Sequence, residues 1–445
     1  MNRKITQIIG LSILTLAPSV FVKAQKVEKT NDFKNPLLTH YLNDEHTRYI
    51  SFSGYAELWA RYTQLNPGSL VNSQPENSVS DLSLRRIRVK MQYQPTEKLL
   101  FVLQAGTTNV NVASKTATSL ELLDAYGEYK FNDKIAFGIG RSTWKGLSRF
   151  TTGPLNTLLF DLPAYATSNT GVLDYTVREF NAYLKGQLGK FDYRLVVIDP
   201  YNNTSTDPKY NVATFSKNSV NKEFTGYFRY QFLDNESIAS PFNSGTYVGK
   251  KKVLALGAGF DYLKDALYHK DISSNVINDD MKNLAVDVFY DTPINKDKGT
   301  SFSAYAMAMH NDYGPNYVRY VGTNSPASGV DATKASLNGA GNAFPIVGTG
   351  NTYFIQAGGT LPYFNKSKST LQLQPAASIQ ISNLDGLKDN SIIYDAGISL
   401  LFNGMSSRLT FDAQNRPIYM PDANSSPVVT DRKWQFVLKY RIDFN

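Results

Sequence analysis

Along the final segment of the chain Trp434, Phe436, Leu438, Tyr440, Ile442 and Phe444 recur at every second position, with Gln435, Val437, Lys439, Arg441 and Asp443 between them. A period of two is that of a strand whose faces meet different surroundings. In a water-soluble sandwich the apolar face would meet a second sheet. In a membrane barrel it would meet lipid, while the polar face turns to a wet lumen. The same pattern opens the body of the chain: Ile50, Phe52, Gly54, Ala56, Leu58, Ala60 and Tyr62 share one face, and Ser51, Ser53, Tyr55, Glu57, Trp59 and Arg61 the other. The next strand returns with Ile87, Val89, Met91 and Tyr93 outward against Arg86, Arg88, Lys90 and Gln92.

Further strands are predicted near 99–105, 123–131, 135–139, 180–184, 191–197, 224–232, 254–262, 284–290, 301–309, 353–361, 371–381, 394–402, 409–413 and 434–444. With the first two they make about sixteen, an even number, as single-chain bacterial barrels require. The fourth strand is read with Leu123, Ala125, Gly127, Tyr129 and Phe131 outward. The segment 301–309 is apolar in either phase.

The apolar registers give roughly seventy outward positions, of which about thirteen would be charged at the chain's 19% charged fraction if register meant nothing. None is charged within the strand interiors. Arg85, Glu121, Arg141, Arg178 and Lys282 keep the outward phase just past those interiors, all at the end expected to face outside the cell. Charge on a lipid face is tolerated there and costly at the midplane. Long connections are expected at that end (65–80, 106–119, 141–171, 199–222, 263–280, 311–351 and 415–430), with one long periplasmic exception at 233–250. The fold class expected is therefore an all-β transmembrane antiparallel β-barrel of about sixteen strands.

Targeting fits this reading. Arg3 and Lys4 precede an apolar run from Ile8 to Val22, and Val22-Lys23-Ala24 offers a cleavage site. We read 1–24 as a cleaved signal peptide, 25–47 as a periplasmic lead and 48–445 as the barrel of a bacterial outer membrane. Loss of Arg3, Lys4 and Lys23 lowers the formal charge from +8 to +5, so nothing calls for a nucleic-acid partner. The absence of cysteine leaves closure and packing to hold the exported fold.

A barrel of about sixteen strands leaves an aqueous channel. Chemistry should then lie on inward side chains and on whatever folds into the lumen. Three cations on one strand face, Arg86, Arg88 and Lys90, repel one another unless anions or acids sit opposite, and with Arg61 they could form a basic ladder. The connection 141–171 is too long and too apolar for a solvated tip, so it is expected to fold inward with Lys145 and Arg149 reaching the lumen. Enzyme signals are absent: His40, His46, His269 and His310 have no metal-like spacing, no G-x-S-x-G is present, and no cofactor is implied.

The runs Leu84-Arg85-Arg86-Ile87-Arg88-Val89, Leu123-Asp124-Ala125-Tyr126-Gly127-Glu128-Tyr129 and Ile139-Gly140-Arg141 resemble the phosphate-selective porin O and P family of outer-membrane porins. The aromatic last strand is similar to the signal read by the barrel-insertion machinery. The resemblance implies a homotrimer of sixteen-stranded barrels with an inward third loop. The function expected is a porin for passive diffusion of small hydrophilic solutes and ions, leaning toward anions such as phosphate. The rival is a plugged barrel that binds or assembles partners at the surface through connections such as 311–351.

Overall fold

The computed structural model describes residues 38–114, 119–153, 155–166, 178–200, 206–217, 220–365 and 370–444. The segment expected to be a signal peptide and most of the expected lead therefore lie outside the described residues. Sixteen strands form the wall: β1 (Tyr49–Gln64), β2 (Ser78–Thr96), β3 (Leu99–Val110), β4 (Glu121–Asn132), β5 (Ile135–Ser142), β6 (Glu179–Leu188), β7 (Phe191–Asp199) and β8 (Glu223–Gln231). The second half comprises β9 (Val253–Lys270), β10 (Val276–Asn295), β11 (Thr300–Asp312), β12 (Gly350–Gly358), β13 (Gln372–Leu384), β14 (Ser391–Leu401), β15 (Ser407–Pro421) and β16 (Pro427–Phe444). Each strand pairs antiparallel with its successor, and β16 returns to β1 from Gly54 opposite Phe444 to Thr63 opposite Gln435. Closure leaves the wall no free edge.

Side chains alternate as the sequence requires. On β10 Leu284 and Val286 are 60% and 55% exposed on the outside, whereas Asp287 between Val286 and Val288 is 5% exposed. No second protein layer covers the outward Leu, Val, Ile and Phe among the described residues, so this apolar band needs lipid. The ambiguous strand β11 resolves with Phe302 out and Tyr305, Met307 and Met309 in.

At the seam, the ring of Phe444 lies over Gly54. A Cβ there would stand 2.4 Å from the ring and 2.2 Å from the Arg88 carbonyl oxygen. Beyond Phe444 the short strand Leu38–Tyr41 continues along β1, pairing with Tyr49–Phe52.

Two bulges overturn the strict alternation. Glu57 pairs with Arg86 but Leu58 with Leu84, so Arg85 is the extra residue. A bulge places two consecutive residues against one partner and re-aims a side chain; Arg85 is accordingly 1% exposed and points inward rather than to the lipid rim. Likewise Gln104 pairs with Asp124 and Ala105 with Leu122, which turns Leu123 inward at 1% exposure. Arg178, expected at the rim, is also buried, with Nε 3.1 Å from Asp124.

Two expected long connections are short. β9 and β10 run on to Lys270 and Val276, and β15 and β16 to Pro421 and Pro427, so only tight turns remain at 271–275 and 422–426. Past the membrane both faces meet water or protein; alternation lapses there while backbone pairing continues. The segment 313–349 folds back over the loop end, where Tyr313, Phe344, Ile346 and Val347 pack with Leu263, Met281 and Ile393. The first loop is tied to it, Asn66 N donating to the Gly341 carbonyl at 2.7 Å.

Candidate pore constriction

The third loop leaves β5 at Ser142, and its described residues lie against inward side chains of the wall. Glycines make that approach possible. A Cβ on Gly259 of β9 would meet the Leu147 carbonyl oxygen at 2.3 Å, and one on Gly146 would meet the Gly226 backbone at 2.5 Å. Gly146 N donates to Thr225 Oγ1 at 2.6 Å and Arg149 N to Asp287 Oδ2 at 2.6 Å. Aromatic pairs complete the seat: Trp144 with Tyr183 (5.0 Å), Phe150 with Tyr305 (4.3 Å) and Phe160 with Trp59 (5.3 Å between ring centroids).

The six cations singled out from the sequence fall into three settings. Arg61 forms a two-bond pair with Asp81 at 2.6 and 2.9 Å. Arg86 reaches Glu57 at 3.0 Å and Asp161 of the third loop at 2.9 Å. Arg85 also donates to Asp161, at 2.9 and 2.7 Å, so one loop carboxylate serves two arginines of the wall. Arg88 lies flat across Gly106 and donates to the carbonyls of Ile87 and Thr107 at 2.9 and 2.7 Å, while Lys90 is half-buried. Lys145 and Arg149 sit elsewhere, against β6, β8 and the long turn-end connection 232–252. Lys145 Nζ is 2.5 Å from Glu223 and 3.4 Å from Glu179. Burial opposes its charge, but those carboxylates outweigh it and raise its pKa. Arg149 pairs with Glu236 and stacks 3.6 Å over the Phe289 ring.

Asp161 and Glu236 are the partners that alternation could not reveal, because neither lies on a strand. A signal for Asp161 existed: three inward cations on β2 demanded acids opposite. Burial pushes the Glu236 carboxyl up, but Arg149 and Arg229 overcome this and hold it at about 2. Among the described residues, no group of three or more His, Asp or Glu is arranged to hold a metal ion.

An antiparallel sixteen-stranded barrel, apolar outside, ion-lined inside and entered by a loop, has the architecture of the bacterial outer-membrane porins. Among solved structures the chain is similar to OprB of Pseudomonas putida, with 9% identity over 89% of this chain and 94% of that one and a TM-score of 0.54. It is also similar to an anion-selective porin from Comamonas acidovorans (9% identity, 89% and 99% covered, TM-score 0.48) and to OmpT, an outer-membrane protein of Vibrio cholerae (11% identity, 91% and 100% covered, TM-score 0.46). At these identities the likeness to OprB establishes the fold. No family model matches the sequence, and no curated protein sequence does.

Proposed function

We propose that the protein is an outer-membrane porin, through which small hydrophilic solutes and ions diffuse passively. The observation that carries this is the inward charge set on a closed barrel with an apolar belt. Such a lumen holds water and ions at a depth where lipid admits neither. Arg61, Arg86, Arg88, Lys90, Lys145 and Arg149 are its proposed lining and constriction residues, and a homotrimer inserted by the cell's barrel-assembly machinery is the proposed form.

The pairing of cations with carboxylates speaks against a strong lean toward anions or toward phosphate. Arg61, Arg86, Lys145 and Arg149 each have an acid within salt-bridge distance, so their fields largely cancel at the range of a passing ion. A weak preference is the expected result. Single-channel recording in planar bilayers, with potassium chloride and then phosphate salts, tests both statements.

One observation favours a second reading, a plugged barrel that displays its surface. Arg61, Arg86, Arg88, Lys145 and Arg149 are all less than a tenth exposed. A constricted porin passes small currents, whereas a plug passes none. The same recordings separate the two.

A further inference from the structure

The connection 232–252 starts at the turn end yet its residues reach the inner wall. Glu236 is 3% exposed and accepts from both Nη atoms of Arg149, from Arg229 Nη1 at 2.7 Å and from Tyr247 OH at 2.6 Å. Its backbone takes up neighbouring cations: Arg194 donates to the Pro241 carbonyl at 2.8 Å, Lys185 to that of Ile238 at 2.9 Å and Arg149 to that of Ser244 at 2.9 Å. The third loop is joined to the same segment, Leu155 N donating to the Asn243 carbonyl and Gly245 N to that of Leu155, both at 2.8 Å.

Arg149, Arg194 and Arg229 thus lie together, and among the described residues the carboxylates bonded to their guanidinium groups are Asp192, 2.6 Å from Arg229, and Glu236; Asp287 accepts from the Arg149 main chain. Asp192 belongs to the wall; Glu236 is brought in on a connection. We propose that Glu236 is a specificity-determining residue of the channel: carried into the lumen from the turn end, it cancels an arginine cluster that would otherwise favour anions. This rests on the porin reading and deepens it.

The test is the reversal potential in a potassium chloride gradient for wild type, Glu236→Gln and Arg149→Gln, with the exposed Glu76→Gln as control. Glu236→Gln raises chloride over potassium permeability by about tenfold, because one charge roughly 6 Å away in water-like surroundings changes the local concentration of each ion by about threefold in opposite directions. Arg149→Gln shifts it the other way, and Glu76→Gln leaves it unchanged. An unchanged ratio in Glu236→Gln overturns the proposal; should that variant fail to assemble, an unchanged ratio in Arg149→Gln does so instead. If wild type carries no current, the porin reading fails. The proposal then falls with it, whereas a conducting wild type with an unchanged ratio in Glu236→Gln defeats the proposal alone.

Discussion

Replacing Gly259 by valine should detach the third loop from the wall. The new Cβ would stand 2.3 Å from the Leu147 carbonyl oxygen and 2.7 Å from that of Gly226. Both obstacles are backbone, one in the loop and one in a paired strand, so no rotamer change relieves them. Overpacking typically costs about 1–3 kcal/mol, and the upper end applies where main chain must move. Against it stand the two loop-to-wall hydrogen bonds from Gly146 and Arg149, worth about 1 kcal/mol each. The clash is thus large enough to offset both bonds and push the main chain at Leu147 off the wall, while the ion pairs of Lys145 and Arg149 keep those flanking residues seated and the sixteen strands, held by their own ladders, stay closed. The chain has no cysteine, so Leu147→Cys gives a single thiol, at a position 1% exposed. A membrane-impermeant maleimide should label it slowly in the parent and at least tenfold faster with Gly259→Val, a ratio equivalent to about 1.4 kcal/mol of loop opening. Gly329→Val, where the nearest atom to a new Cβ is 3.7 Å away, should leave the rate alone. Equal labelling with and without Gly259→Val would refute the claim that glycine gaps seat the loop.

Asp161→Asn leaves the buried guanidiniums of Arg85 and Arg86 sharing a weaker acceptor and should lower stability by about 3–5 kcal/mol, seen as a lower temperature of heat modification on gels. Gly54→Val, which puts a side chain where the Phe444 ring lies, should cost about 1–3 kcal/mol at the seam and reduce the yield of closed barrel on refolding into detergent. The Glu236 carboxyl is held at about 2 against an ordinary 4.5, worth about 3 kcal/mol. Because the folded pKa is depressed, this stabilisation is complete above pH 4.5 and is lost as pH falls through 2, the unfolded chain taking its proton first. The advantage of wild type over Glu236→Gln in heat resistance should therefore hold from pH 7 to 4.5 and shrink below, and a difference that persists at pH 2 would contradict it.

The wall was legible because membrane strands obey a rule with few exceptions: a charge facing lipid at mid-depth costs roughly 2–4 kcal/mol, so alternation is enforced residue by residue. Most of the sixteen strands show it, and the register that sends Lys439 inward between the outward Leu438 and the half-buried Tyr440 is written in the sequence itself. The rule says nothing where lipid ends. Arg85 and Leu123 were misplaced because a bulge changes parity without leaving a mark in composition, and the upper parts of β9 and β10 read as loop once their outer face met water.

The lumen was less legible for a different reason. Its ion pairs join residues far apart in sequence, Arg86 to Asp161 across 75 positions and Arg149 to Glu236 across 87. Only folding of the third loop and of the connection 232–252 brings them together. Yet a constraint was present from the start. Charges barred from the outside of a barrel must accumulate inside it, and a buried charge without a partner costs several kcal/mol. A lumen that receives Arg61, Arg85, Arg86, Arg149 and Arg229 must therefore also receive carboxylates. The strands supply Glu57, Asp81 and Asp192; the rest come from the connections, as Asp161 and Glu236. On this argument inward folding of the connections is a consequence of electroneutrality as much as of apolar packing, and it identifies their acidic residues as the place to look for control of ion preference.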